Sequence, residues 1–335
     1  MASSEGHGSL TIGREKLLDL YRTMLLIRAC EERFVEPILR GEIQCPVHLC
    51  SGQEAVAAGV CGALEKEDYV FGNHRSHGHY LAKGGDLKAM VAEVYCRENG
   101  CSKGRGGSMH LIDPEAGMLG SAPIVAGTIS LALGAALAAS IRKDGRVAVS
   151  FFGDGATGEG VLSESLNFAG LKKLPILFVC ENNFYSTHLP IDEIRVNRQI
   201  YRLGKPYGVK CFRVDGNDAV KVHLKTRELV EMCRRGEGPV ILECVTYRQR
   251  GHVGPDDNVQ GRHTDIRPAD EIVRWLNKDP IKVMERYLAG KAGVSSAQIA
   301  RINAAVEKEL DDAFLYATSG PLPNAKEIAS YVFAD

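Results

Sequence analysis

Asp154 stands between two glycines in the run FFGDGATGEG, where Gly153, Gly155 and Gly158 have the spacing G-x-G-x-x-G. Such a turn suits a phosphate, received by glycine amides and by the N-terminus of the helix that follows. An ionised carboxylate at its centre repels that phosphate, so a cation has to lie between them. Mg²⁺ fits best, because it takes oxygen ligands from one or two carboxylates and shares the rest with phosphates and water. More oxygen donors must then come from a neighbouring strand end. Asn182 and Asn183 in CENNFYS follow the apolar run PILFVC at about the distance of one parallel strand–helix–strand crossover. An Asp in a turn and an Asn opening a loop are each ordinary. Placed after consecutive strands, they favour a metal site.

The histidines are the next candidates, since imidazole changes charge near neutral pH and suits proton transfer. His48 immediately precedes an expected helix start, where bonding to backbone and an active-site role are both open. His77 lies in HRSHGHY beside His74 and His79; a zinc cluster there needs a cysteine or carboxylate at suitable spacing, and none completes it. His252 belongs to RQRGHVGPDDNVQGRHTDIRP, residues 248–268, the one long segment without periodicity. A loop of that length is functional or disordered, and its His, Arg and Asp content points to function. His110, after GRGGSM, is read as support for its own loop.

These residues need a frame. Residues 14–40 carry apolar positions at helical spacing up to Gly41, and Ser51 with Glu54 reads as a capping box opening a helix through residue 63. Downstream the pattern alternates: strand 146–152, helix 160–171, strand 175–180, helix 219–235, strand 240–245. The Ala/Gly-rich stretch 122–141 reads as a buried, tightly packed helix rather than a membrane span, because Pro123, Thr128, Ser130 and Ser140 interrupt it. The expected fold class is therefore α/β, a parallel sheet flanked by helices, with extra terminal helices such as 296–317. No internal repeat or linker divides residues 1–335, so a single domain is expected, with residues 1–13 as a flexible N-terminus.

Composition narrows the partners. The 335-residue chain has a formal net charge of −1, which gives no field to gather nucleic acid, and no basic amphipathic helix points to a membrane surface. Its ten cysteines lack C-x-x-C pairing and read as reduced core thiols, and residues 1–8 lack a signal or transit pattern. A cytoplasmic setting is expected.

The run GDGATGEG followed by ENNFYS resembles the motif that binds thiamin diphosphate and Mg²⁺. Together with HLCSGQEA, HRSHGHY, GRGGSMH, LKKLPILFVCENNFY and RGH, all in order, the chain is similar to the alpha subunit of the 2-oxo acid dehydrogenase first component, of the pyruvate and acetoin dehydrogenase type. The resemblance implies the thiamin diphosphate-binding fold, in its diphosphate-binding form. It implies Mg²⁺ on the side chains of Asp154 and Asn183 and on the Tyr185 carbonyl, and the diphosphate on the amides of Gly155 and Ala156. Arg75, with His74 beside it, would contact the diphosphate, as a guanidinium fork suits phosphate oxygens. Ile124 and Val125 align with the segment touching the middle of the cofactor, and His48, His77 and His252 with histidines at the active-site mouth.

The family places the cofactor's acid, a glutamate, on a separate pyrimidine-binding domain, for which this length leaves no room. A beta subunit carrying that domain and glutamate, assembled as a heterotetramer, is implied, with a lipoyl-bearing acyltransferase as acceptor of the acyl group. The substrate would be a small 2-oxo acid or acetoin. Where many relatives carry a Ser-containing GHS segment, this chain reads RGHVGPDDN, which excludes phosphorylation at that position. His74 replaces the tyrosine of animal pyruvate enzymes and leans toward bacterial acetoin-like members. A non-oxidative thiamin-dependent lyase or carboligase fits the same residues. An NAD-binding Rossmann protein has only the glycine spacing and a late ribose-ligand candidate, Glu181, in its favour.

Overall fold

Apolar, β-branched runs of four to seven residues form the centre of the molecule. The computed structural model describes residues 12–255, 267–327 and 330. In chain order the strands are β1 (Tyr69–Gly72), β2 (Met118–Ser121), β3 (Ala148–Gly153), β4 (Ile176–Asn182), β5 (Tyr185–Ser186), β6 (Leu189–Pro190), β7 (Lys210–Asp215) and β8 (Val240–Val245). Six of them pair as one sheet in the order β2-β1-β3-β4-β8-β7, every contact parallel; β5 and β6 make a separate antiparallel hairpin. β3 and β4 are buried along almost their whole length, as strands covered on both faces must be. The expected parallel α/β sheet is thus found. The strands β1, β2 and β7 had no periodic signal: two span only four residues, and β7 lies at an edge with mixed exposure.

Three helix expectations change. The helix expected over 14–40 breaks into Arg14–Arg33 and Val35–Leu39, since Pro37 has no N–H for the carbonyl four residues back. Ser51 and Glu54 form no capping box. Ser51 Oγ donates to Glu32 at 2.9 Å, and Glu54 is taken by the guanidinium of Arg28, so the helix Glu54–Cys61 starts at Gln53 without a side-chain cap. The stretch 122–141 gives the helix Gly127–Arg142, buried on one side only. Ile129, Ala132, Ala136 and Ala139 meet the sheet, whereas Leu131 is 59% exposed and Ile141 72%. Apolar composition could not tell a face that packs on the sheet from one left outward. At the C-terminal end, Ser295 and Gln298 do form a capping box, opening the helix Ser296–Ser319.

All ten cysteines are free thiols, but Cys45, Cys96, Cys101 and Cys211 are only half-buried, which corrects their reading as core. Among the described residues no helix is long and apolar enough to cross a membrane. Of the N-terminus expected to be flexible, residues 1–11 lie outside the described residues, as do 256–266 of the long loop.

Buried charges hold the loops that leave this sheet. Arg28 pairs with Glu54 and, at 2.9 Å, with Asp279, while Glu54 accepts from the Gly52 amide at 2.9 Å. Gly52 has φ of +97°, and a Cβ there would lie 2.4 Å from the Tyr247 carbonyl oxygen, so only glycine fits. Glu93, fully buried, accepts from four backbone amides: Ser102 and Gly104 at 2.8 Å, Gly106 at 2.7 Å and Gly107 at 2.9 Å. These bonds fold the glycine-rich loop into a knot ending at Met109. Replacing Glu93→Gln, which removes the charge and points an NH₂ at the amides, is expected to destabilise the protein by roughly 3 kcal/mol. Urea unfolding measures the loss, and faster amide exchange confined first to residues 102–107 would locate it.

Candidate active site

The C-terminal ends of β1, β2, β3, β4 and β8 open into one cavity of about 180 Å³. It lies where the chain reverses its direction of travel across the sheet, since β2 is added on one side of β1 and β3 on the other. Parallel sheets place ligands at such switch points, because the turns there diverge and leave a crevice. β1 delivers Asn73, His74 and Arg75; the segment after β2 delivers Ile124 and Val125. β3 delivers Asp154, Gly155 and Ala156, β4 delivers Asn183 and Tyr185, and the segment after β8 delivers His252. His48 completes the wall from the loop before the helix Glu54–Cys61. Eleven of the twelve residues named from the sequence therefore meet at one place.

His77 does not line the cavity. It is fully buried, with Nδ1 on Glu31 and Nε2 2.8 Å from Ser108 Oγ. Ser108, His77 and Glu31 have the connectivity of a hydrolase triad, yet none reaches the cavity and each is at most 1% exposed, so a substrate has no access. Their bonds brace the site instead, because Glu31 also accepts from the Cys50 amide. His79 turns elsewhere again, to Glu181 at 3.1 Å, and His74 stands with His48 and His252, so the three histidines of HRSHGHY diverge.

β3 and β4 pair with Gly153 opposite Glu181, which brings Asp154 and Asn183 to the same edge. Asn182 faces away and donates to Glu243 at 2.7 Å. Asn183 donates to Gln53 Oε1 at 3.0 Å, which fixes its amide so that Oδ1 is the acceptor on the other side, bonded to the Tyr185 amide at 3.2 Å. Asp154 is 1% exposed and its Oδ2 has no hydrogen-bond partner. Burial pushes its carboxyl up to about 6, against the pull of the Asp154 and Asn183 amides and of Arg248 and Arg75. A buried carboxylate oxygen without a partner, beside an amide oxygen and a glycine whose added Cβ would fall 2.4 Å from Ser186 Oγ, is what a hard cation with an oxyanion ligand requires. The donor set fits Mg²⁺ and a diphosphate.

Arg75 is buried and donates to the Leu49 carbonyl at 2.7 Å, to the His252 carbonyl at 2.9 Å and to His252 Nδ1 at 3.0 Å. A guanidinium has only donors, so Nδ1 of His252 is the acceptor and the ring proton sits on Nε2. The rings of His48, His74 and His252 form a cluster with centroids 4.8 to 5.7 Å apart. Burial, then the charge of Arg75, lowers them to about 4, 2 and 3 respectively. Near-neutral titration, expected from the residue type, is therefore shifted to acid, and all three are neutral donors and acceptors at pH 7. Sequence reasoning missed Gln53, Asn73, Met109 and the buried Arg248, whose guanidinium donates to the Thr187 carbonyl at 3.0 Å. Only the position of Asn73 and Arg248 just beyond strand ends carried a signal. His110 is exposed and bonds within its own loop, Nδ1 lying 3.0 Å from the Gly106 carbonyl.

The Dehydrogenase E1 component family matches residues 21–326. The chain belongs to that family. It is 37% identical to the alpha subunit of acetoin:2,6-dichlorophenolindophenol oxidoreductase of Bacillus subtilis, over 97% of this chain and 95% of that one. It is 36% identical to the pyruvate dehydrogenase E1 component subunit alpha of Porphyra purpurea, with the same coverage. To the chloroplastic subunit alpha-3 of Arabidopsis thaliana it is 35% identical, over 99% of this chain and 78% of the relative. The fold is accordingly the thiamin diphosphate-binding fold, and the cofactors of this dehydrogenase E1 chain are thiamin diphosphate and a divalent metal ion. The nicotinamide reading falls, because Glu181 is engaged by His79 and by Asn73, at 3.4 Å, and the turn before it is built around a carboxylate. The lyase and carboligase readings are not favoured by these relatives.

The carboxyl of Asp154 gives a test of sign. Its pKa is raised on folding, so the proton it holds stabilises the folded state fully below about pH 4, and that stability is lost as pH rises through about 6. Asp154→Asn is therefore expected to stabilise the cofactor-free protein at pH 7.5 by roughly 3 kcal/mol, with the gain vanishing below pH 4. Urea unfolding across pH measures it; a loss of stability at pH 7.5 would show Asp154 to be a structural residue.

Proposed function

We propose that this chain is the alpha subunit of a thiamin diphosphate- and Mg²⁺-dependent enzyme that decarboxylates a small 2-oxo acid, or cleaves acetoin, and passes the acyl group to a lipoyl acceptor. The observation that carries the reading is the unpartnered Oδ2 of Asp154, one crossover away from the acceptor oxygen of Asn183. Asp154, Asn183 and the Tyr185 carbonyl hold the metal. The amides of Gly155 and Ala156 receive the diphosphate, and Arg75 adds charge beside it. Ile124 and Val125 border the middle of the cofactor. When bound, thiamin diphosphate supplies a nucleophilic carbon and a sink for the electrons left as CO₂ departs.

The histidines act as neutral groups. His252, with its proton fixed on Nε2, offers a hydrogen-bond donor, and His48 and His74 lie beside it in a site too poorly hydrated to hold imidazolium. His77 is a positioning residue, bracing the loops of Cys50 and Ser108.

Assembly follows from exposure. Ile124 is 73% exposed and Val125 52%, although they border a cofactor that needs a dry site, and Leu131, one turn into the helix that follows them, is outward-facing too. An apolar surface continuous with half an active site suits a permanent partner. That partner is the beta subunit with its pyrimidine-binding domain and catalytic glutamate, in a heterotetramer, and a lipoyl-bearing acyltransferase receives the acyl group. One diphosphate-binding domain in each alpha chain is all that this arrangement needs.

With its beta subunit, the protein is expected to reduce a dye in the presence of thiamin diphosphate, Mg²⁺ and one member of a panel of 2-oxo acids and acetoin. CO₂ release without dye reduction, or a carboligation product, would move it to non-oxidative chemistry. Because Asp154 must be ionised to bind the metal, cofactor affinity is expected to fall toward tenfold per pH unit below about 6. Asp154→Asn should abolish Mg²⁺-dependent binding altogether in calorimetry, and retention of tight binding by that variant would overturn the assignment.

A further inference from the structure

The guanidinium of Arg195 bonds a hydroxyl rather than a carboxylate. Arg195 ends the short helix Ile191–Ile194, which is anchored by Ile191, buried and with its amide donating to the Phe184 carbonyl at 2.8 Å. Asp192 on the same helix pairs with Arg198, and among the described residues the one bond of the Arg195 guanidinium goes to Thr157 Oγ1, at 2.5 Å. Thr157 is buried, and its O–H donates to the Asp154 carbonyl at 2.5 Å. The two bonds fix each other. A guanidinium only donates, so a lone pair of the hydroxyl faces Arg195 and its proton goes to the carbonyl. Donors in series also polarise one another.

The consequence lies one peptide bond further on. The Asp154 carbonyl and the Gly155 N–H belong to the same trans peptide group, so they point in opposite directions. Holding the carbonyl on the Thr157 side turns the Gly155 N–H to the other, and Gly155 borders the cavity whereas Thr157 and Arg195 do not. Such a restraint is needed. Glycine adopts either sign of φ, so a peptide that ends in glycine flips easily. No larger residue can supply the stiffness, because a Cβ at Gly155 would lie 2.4 Å from Ser186 Oγ.

We propose that Arg195 and Thr157 are positioning residues, a relay of two hydrogen bonds that holds the Asp154–Gly155 peptide with its N–H aimed into the cavity, at the diphosphate. The inference rests on the reading that the Gly155 amide receives that group. It adds that the amide is presented from behind the turn, by a side chain at the end of a helix that contributes nothing to the cavity wall.

The test uses the full chain in complex with its beta subunit, with affinity for thiamin diphosphate read by calorimetry at saturating Mg²⁺. Thr157→Val removes the hydroxyl at near-constant shape and is expected to weaken binding about tenfold, the loss of one well-aimed hydrogen bond, with kcat at saturating cofactor unchanged. Thr157→Ser keeps the hydroxyl and should bind as the unaltered protein does. Arg195→Met, at a half-buried position, should weaken binding by a smaller factor and add nothing when combined with Thr157→Val, because both act through one bond. In the cofactor-free chain both Thr157→Val and Arg195→Met should speed amide exchange over residues 154–158, whichever cofactor the site takes. Additive losses in the double variant would make Arg195 an independent charge and overturn the relay, as would loss of affinity in Thr157→Ser or unchanged exchange in both variants. Failure of the unaltered complex to bind thiamin diphosphate would instead count against the functional reading, with amide exchange still deciding the relay.

Discussion

A carboxylate buried at a sheet edge, with one oxygen unanswered, is costly to keep, and the surrounding structure is arranged around that cost. Two backbone amides, its own and that of Asn183, bond Asp154, and the charges of the Arg75 and Arg248 guanidinium groups favour its ionised form from a distance. Burial still dominates. The balance leaves a raised carboxyl with one oxygen open, which is the state that the proposed cation would answer.

The loops around it are held by a few other buried acids, each serving as a junction. Glu31 joins the Cys50 amide to His77, Glu54 joins Arg28 to the Gly52 amide, and Glu93 gathers four amides of the glycine-rich loop. None contacts the cavity. A carboxylate that accepts several bonds fixes a loop without filling space, which is how segments outside the long helices and the sheet can present His48 and Met109 in fixed places. Arg75 completes the arrangement by bonding the carbonyls of Leu49 and His252, so two loops distant in sequence share one guanidinium.

How much of this was legible depends on distance along the chain. The strands β3, β4 and β8 announce themselves by unbroken apolar runs, and the crossover between Asp154 and Asn183 follows from spacing alone. The family motifs then supplied Arg75, Ile124 and Val125 from far away. Charge pairing was the part the sequence hid: Ser51 and Glu54 read as a local cap because nothing nearby reveals that Arg28 takes the glutamate. Likewise no local signal told where the rings of His77 and His252 point, yet one is sealed between Glu31 and Ser108 while the other reaches the cavity. The acid shift of the histidines was equally invisible, since it arises from burial and from a guanidinium brought in by the fold.

The two halves of the site differ in how the chain builds them. Asp154 and Asn183 belong to a single strand–helix–strand unit, with β3 and β4 in direct register, whereas His48, Arg75 and His252 are gathered from three segments spread from position 48 to position 252. Oxygen donors proposed to hold the metal thus sit in one short block, which a single recombination event can carry intact into a new protein. The imidazole wall has no such linkage. Each of its members can drift separately while the cradle persists, and divergence among descendants of this architecture should therefore be recorded in the histidines first.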